Sequence, residues 1–308
     1  MTTELTIATR GSKLALIQAG WVQDQLKLSF PGLKVELLIV KTTGDVILDV
    51  PLAQVGGKGL FVKEIEEAIL DGRAQVAVHS IKDMPTDLPP GLHLAAVPVR
   101  EDPRDVLISR SGRNLADLPP GARLGTSSLR RAAQALAFRP DLKVVSIRGN
   151  VETRLKKMDQ GQVEAVVLAA AGLKRMGLIE RATQFLEPRF MLPAVGQGAL
   201  GLECRKEDQA TNELLSRLND PRTSTEVQAE RAFLARLQGG CQVPLACQAV
   251  LIGQRLTVDG LVAGLEGRPL IRRQTSGPAQ TAERLGRDLA DEILAQGGQE
   301  ILAEVYDS

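Results

Sequence analysis

The chain is expected to be an α/β protein with two similar units followed by a smaller α+β unit. Three observations predict this. Strand-like apolar runs alternate with helical stretches, as in sheets whose strands are parallel and covered by helices on both faces. The same three elements recur in the same order in the two halves of the first 200 residues. Beyond Asn219-Asp-Pro221 the alternation gives way to a helix, a glycine loop and consecutive strand-like runs. With 308 residues and 44% hydrophobic composition, the chain exceeds one ordinary core and can fill two or three.

The first repeated element is Leu5–Ser12 followed by a helix from Lys13, matched by Ala122–Ser128 followed by a helix from Leu129. Each reads as a strand, a Ser/Thr/Gly turn and a helix capped by a hydroxyl, with Ser12 in one case and Ser127 or Ser128 in the other. The second is Leu33–Val40, matched by Leu142–Ile147; the third is Ala74–Ser80, matched by Gln162–Leu168. Arg100-Glu-Asp-Pro-Arg-Asp105 reads as a polar crossover between units, and Phe190–Ala199 as the way back. Two crossings would make a cleft with hinge strands. The last region predicts a helix over Ser224–Leu237, strands around Ala246–Ile252, Leu256–Val262 and Leu270–Gln274, and an amphipathic helix after Pro278.

Charge and composition exclude several classes. The 38 basic and 37 acidic residues leave a net charge of +1, unlike the globally basic balance of a nucleic-acid or membrane-surface binder. Aromatics at 3% weaken a nucleic-acid reading further. Two histidines, His79 and His93, exclude a His-rich metal site, and no metal is expected. Three unpaired cysteines, Cys204, Cys241 and Cys247, suggest a reducing compartment. No secretory signal or membrane-spanning run is read, so a cytoplasmic protein is expected, or a plastid stromal one in a photosynthetic eukaryote.

Ligands of such sheets bind beyond the carboxyl ends of the strands, where helix N-termini favour anions. Arg10, Ser12 and Lys13 flank the first turn; Thr126, Ser127, Ser128, Arg130 and Arg131 flank its counterpart. Helix capping explains the hydroxyls but not the adjacent arginines, which suit bidentate grip of carboxylates. Arg148, Arg154 and Arg175 stand after other strands, and Lys58 lies in the glycine loop Gly56–Gly59, which lacks phosphate-loop spacing. This gathering of cations points to a polyanionic ligand. Asp83 follows the third strand beside Lys82, where a carboxylate could stabilise a cation or move a proton, or merely pair within a turn before Pro85. His79 is expected to point into structure. Cys241, after two glycines, is either a reachable nucleophile or anchor, or a small buried hydrophobe.

Taken together, Thr9–Leu16, Gly57–Phe61, Val78–Pro85, Gly125–Arg131, Arg148–Arg154, Pro193–Ala199 and Gly239–Pro244 stand in the order found in the porphobilinogen deaminase (hydroxymethylbilane synthase) family, which the chain resembles over essentially its whole length. The resemblance implies two periplasmic-binding-protein-like (type II) domains around a cleft and a small C-terminal α+β domain. Domain 1 would take residues 1–98 and 194–218, domain 2 residues 99–193, and domain 3 residues 219–308. It implies stepwise head-to-tail joining of four porphobilinogens with loss of ammonia, then release of linear hydroxymethylbilane by water. The primer would be a dipyrromethane cofactor in thioether linkage to Cys241.

The resemblance further implies that Asp83 is catalytic, stabilising the azafulvene cation left by ammonia and the charge on pyrrole nitrogens. Ser80, Lys82, Thr126, Ser128, Arg130, Arg131, Arg148 and Arg154 would hold the cofactor. Arg10, Ser12, Lys58, Arg148, Arg154, Arg175 and Gln197 would bind the acetates and propionates of substrate, with residues 56–59 as a mobile lid. Gln54 stands where some relatives are basic and is left out of the site. Cys247 raises the question of which thiol carries the primer; its setting lacks the Gly-Gly pair. A monomer is expected, free of nucleic acid and membrane, whose product passes to uroporphyrinogen-III synthase. The competing reading is a non-catalytic oxyanion- or polycarboxylate-binding protein with the same paired domains, which would leave Cys241 and Asp83 without a role.

Overall fold

A computed structural model describes residues 4–42, 62–238 and 243–306. In chain order the elements are β1 (Glu4–Arg10), α1 (Lys13–Ser29), β2 (Lys34–Val40), α2 (Lys63–Leu70), β3 (Val76–Ser80) and β4 (Leu92–Ala96). There follow β5 (Asp105–Ser109), β6 (Arg123–Gly125), α3 (Leu129–Phe138), β7 (Lys143–Val145), α4 (Val151–Asp159), β8 (Ala165–Ala169), α5 (Ala170–Arg175) and β9 (Gln184–Leu186). The chain ends with β10 (Leu200–Arg205), α6 (Gln209–Ser216), α7 (Pro221–Arg236), β11 (Leu245–Ile252), β12 (Arg255–Ala263), β13 (Leu270–Pro278), α8 (Ala282–Ile293) and α9 (Gln299–Tyr306). Two compact units emerge: residues 1–101 with 199–224, and residues 102–198 with 225–308.

The duplication is visible in the sheets. One five-stranded sheet has the order β2-β1-β3-β10-β4 and the other β7-β6-β8-β5-β9. In each, the second strand of that order pairs in parallel with both its neighbours, and the fourth runs antiparallel to the third and the fifth. The expectation of parallel sheets is therefore corrected at one strand of each, β10 and β5. The reason is the route of the chain: Leu200 opens β10 opposite Ser80, where β3 ends, and Asp105 opens β5 opposite Ala169, where β8 ends. A strand entering at that edge must run back along its neighbour. Asp105 thus belongs to a strand and not to the polar crossover in which the sequence placed it.

Both faces of each sheet are buried, as the near-continuous apolar strands require. In the first unit Leu5, Ile7, Val76 and Val78 pack with Val22 and Leu26 of α1, while Ala8 and Ala77 face Ile65, Ala68 and Ile69 of α2. Fully burying a side chain such as Ile65 or Ile69 contributes about 1.5–3 kcal/mol. In the second unit Leu107, Leu124 and Val167 line one face and Val106, Ile108 and Val166 the other.

The C-terminal elements follow the expected α+β pattern. The antiparallel sheet β11-β12-β13 packs on α7 and α8 around Phe233, Val258 and Leu289. Glu230 of α7 is fully buried; its carboxylate accepts from Gly196 N at 2.6 Å and Ala249 N at 2.9 Å, fixing the segment before Gln197. Helices α7 and α8 touch at Gly286, where an added Cβ would stand 2.1 Å from Ala229 O. The obstacle is backbone, which cannot swing aside. Gly286→Ala should destabilise the protein at or beyond the upper end of the about 1–3 kcal/mol usual for overpacking, read as a lower urea midpoint; an unchanged midpoint would contradict the close approach.

Candidate active site

The carboxyl edge of the first sheet collects the residues singled out in that half. Arg10 ends β1, and Ser12 caps α1, its Oγ accepting from Ala15 N at 3.3 Å. Ser80 ends β3, and its Oγ accepts from Gln18 Nε2 at 2.9 Å. One 3-10 turn, Ile81–Asp83, follows. Ile81 is buried, donates its N–H to Ala199 O at 3.1 Å, and accepts at its own carbonyl from Met84 N at 3.0 Å. With Ile81 and Met84 both buried, the turn is pinned at its two ends while Asp83 is exposed and Lys82 half-buried. A charged carboxylate on a pinned turn suits a group meant to meet a ligand. His79 does point inward, its Nε2 sharing a hydrogen bond of 2.9 Å with Glu203 Oε2.

The corresponding edge of the second sheet is built around an acid the sequence reading did not single out. Asp105 is fully buried between two guanidinium groups. Its Oδ2 accepts from Arg130 Nη1 at 2.7 Å, and its Oδ1 from Arg131 Nη2 at 2.8 Å and Nε at 3.1 Å. Burial works to raise the Asp105 pKa, but the adjacent charges of Arg130 and Arg131 hold the carboxyl well below the ordinary carboxylate range. Arg130 also donates to Leu192 O at 2.8 Å and Arg131 to Val167 O at 3.0 Å. Gln197 donates to Asp105 Oδ1 at 2.9 Å and to Pro103 O at 2.7 Å.

Arg130, Arg131 and Gln197, expected to contact ligand carboxylates, are thus buried and committed to a network that leaves one excess positive charge. The remaining residues of that half lie on the segments and helices that follow β6, β7 and β8. Thr126 is buried and its Oγ1 accepts from Ser128 N at 3.1 Å; Ser128 in turn caps α3 through Arg131 N at 3.5 Å. Arg148 and Arg154 flank Gly149, whose φ of 111° lets the chain turn sharply after β7. Arg154 Nε donates to Gly149 O and Arg175 Nη2 to Gly198 O, both at 2.8 Å. Arg148, Arg154 and Arg175 are half-buried.

Comparison with known proteins bears directly on these two edges. Residues 5–213 match the family model described as porphobilinogen deaminase, dipyromethane cofactor binding domain, and residues 224–295 match its C-terminal domain. Proteins named porphobilinogen deaminase from Pelobacter propionicus and Geobacter sulfurreducens are each 55% identical, covering 98% of this chain and 97% and 95% of theirs. That from Syntrophotalea carbinolica is 58% identical over 97% of this chain and 95% of its own.

The chain belongs to the porphobilinogen deaminase family.

Among solved structures, the periplasmic aliphatic sulphonate binding protein SsuA from Escherichia coli covers 77% of this chain and 71% of its own at 13% identity and a TM-score of 0.42, a level at which likeness decides nothing. Two of the three cysteines lie among the described residues. Cys204 is buried, and burial first, with the charge of Asp208 next, pushes its thiol up to about 12, so it stays an unreactive thiol. Cys247 is fully buried in β11 within the C-terminal core. Cys241 lies outside the described residues, as do Lys58, Gln54 and the glycine loop 56–59. The residues flanking the Cys241 segment, Leu237 and Val243, are both buried in the C-terminal core.

Proposed function

We propose that this chain is a hydroxymethylbilane synthase whose catalytic acid is Asp83 and whose covalent anchor is Cys241. The observation that carries the assignment is the pinned turn that presents Asp83 at the carboxyl edge of the first sheet, in a chain of this family. A fixed carboxylate there stabilises positive charge on the substrate pyrrole as ammonia departs. It need not move to do so, because Ile81 and Met84 hold its backbone.

The donor set suits a dipyrromethane. Such a group carries acetate and propionate carboxylates, and the second sheet edge offers arginines and hydroxyls around a buried network with net positive charge. When bound, the dipyrromethane supplies the pyrrole carbon to which substrate units are joined. Ser80, Lys82, Thr126, Ser128, Arg148 and Arg154 hold its carboxylates. Arg130 and Arg131, locked by Asp105, contribute field and rigidity more than open fingers. Arg10, Ser12, Lys58, Arg148, Arg154, Arg175 and Gln197 serve the substrate, Gln197 by bracing the network. Cys241 is favoured as anchor because the other two thiols are sealed in cores.

The reading extends to a division into domains 1–98 with 194–218, 99–193 and 219–308, to a monomer that hands its product to uroporphyrinogen-III synthase, and to a cytoplasmic setting. Among the described residues no helix is long and apolar enough to cross a membrane, and the relatives named above are bacterial, which offers nothing for a plastid alternative. The test is incubation with porphobilinogen, measuring ammonia and hydroxymethylbilane. Stoichiometric release of both is expected; binding of porphobilinogen without ammonia release would favour the polycarboxylate-binding alternative.

A further inference from the structure

Three buried titratable side chains belong to the face of the first sheet that α2 covers and to α2 itself. Strands β3 and β10 bring His79 Nε2 within 2.9 Å of Glu203 Oε2, with side chains 4% and 0% exposed. Ala77 and His79 share one face of β3, and Ala77 packs on α2 beside Ile65 and Ile69. Glu66, on the buried side of α2, is 7% exposed. Among the described residues, neither Glu66 Oε1 nor Glu203 Oε1 has a hydrogen-bond partner.

Two buried carboxylates around one imidazole cannot all be charged cheaply, and one way out is for a carboxyl to keep its proton. Burial first and the charge of Glu203 second push Glu66 up to about 7, with His79 working in the opposite direction. A protonated Glu66 becomes a hydrogen-bond donor, and Glu203 Oε1 is a buried acceptor without a partner among the described residues. Glu66 also lines a cavity of about 320 Å³ with Val62, Lys63, Pro85 and Asp87, so protons have a way in from beside the turn.

Other charged groups on the surrounding elements are Glu64 and Glu67 on α2, Lys82 and Asp83 on the turn, and Arg10 on β1. Arg205 on β10 is bound to Ile69 O, at the end of α2, and to Asp208 at 3.1 Å. Among the described residues, Glu203 and His79 are the charged groups that act on Glu66.

His79 immediately precedes Ser80 and the Ile81–Asp83 turn. We propose that Glu66, His79 and Glu203 form a proton-sharing clamp that fixes the end of β3 against α2 and thereby positions the Asp83 carboxylate, a role that rests on Asp83 being the catalytic acid. The three are positioning residues. The clamp connects protonation in the core to the geometry of an exposed carboxylate.

The sign of its pH dependence is fixed by linkage. Folded Glu66 holds its proton to higher pH than the unfolded chain, so its stabilising contribution is complete below its ordinary value of 4.5 and is lost as pH rises to about 7. Urea unfolding of the full-length holoenzyme without substrate should therefore show a midpoint that falls between these pH values more steeply for the wild type than for Glu66→Gln. His79→Gln should lower kcat about tenfold or more through a misplaced carboxylate. KM should stay within about twofold, since substrate contacts are untouched. His79→Gln with Glu203→Gln should recover part of that loss, because the second change removes the stranded charge.

Identical pH dependence in wild type and Glu66→Gln would overturn the clamp even if the histidine variant failed to fold. So would full kcat in a folded His79→Gln. Asp83→Asn run in parallel separates the two ideas: if it keeps full turnover, the reading of Asp83 fails whatever the clamp variants do.

Discussion

Asp105→Asn is expected to cost about 3–5 kcal/mol of unfolding stability, the range for breaking a buried ion pair from one side. The carboxylate is fully buried and is the charge partner of both Arg130 and Arg131. The amide has nearly the same shape but no charge and one acceptor oxygen where the carboxylate used two. It leaves two guanidinium groups desolvated and under-paired, and Gln197 without its acceptor at Oδ1. The damage should spread to the carboxyl edge of the second sheet, where Ser128, Thr126 and the α3 N-terminus are braced by the same arginines. Urea unfolding followed by circular dichroism measures it. The pH dependence carries a second signature. Folded Asp105 has a pKa well below the ordinary 3.8, so its contribution is complete above that value and is lost as pH falls below it through the depressed folded value. The wild-type midpoint should drop over that acid range more steeply than that of the Asn variant.

Asp83→Asn is expected to do the reverse, abolishing function and sparing structure. Turnover of porphobilinogen should fall by about 10²–10³, the usual loss when a fixed group facing transition-state charge is neutralised. Stability should stay within about 0.5 kcal/mol, because Asp83 is exposed and the turn is held by Ile81 and Met84. The covalent primer should still be attached. A kinetic assay alongside thermal unfolding separates the possibilities: loss of both activity and stability would make Asp83 a structural residue.

The repeat was legible because three elements recur in order and each strand–turn–helix is marked by a capping hydroxyl; Ser12 and Ser128 do cap α1 and α3. The turn carrying Asp83 was legible for the same reason, since a polar run between a buried strand and Pro85 leaves little else to form. The antiparallel strands β5 and β10 were not, because direction depends on where the chain re-enters the sheet, and periodicity carries no direction. Asp105 was missed for a related reason. Placed among Arg100, Glu101, Asp102 and Arg104 it looks solvated, and only the pairing of β5 with β8 carries it into the interior beside Arg130 and Arg131. The same blindness hid Glu203, whose partner His79 lies 124 residues away in the chain. Arg10 ends β1 and Arg148 follows β7, yet the chain alone could not tell Arg148 and Arg154, half-buried, from Arg130 and Arg131, buried and paired.

The most direct test of covalent chemistry at Cys241 is the intact mass of the denatured protein after incubation with porphobilinogen, with peptide mapping of any adduct. The predicted result is a species heavier than the chain by two deaminated porphobilinogen units, mapping to the Cys241 peptide and absent from Cys241→Ser. A bare chain mass after incubation, or an adduct on Cys204 or Cys247, would contradict it.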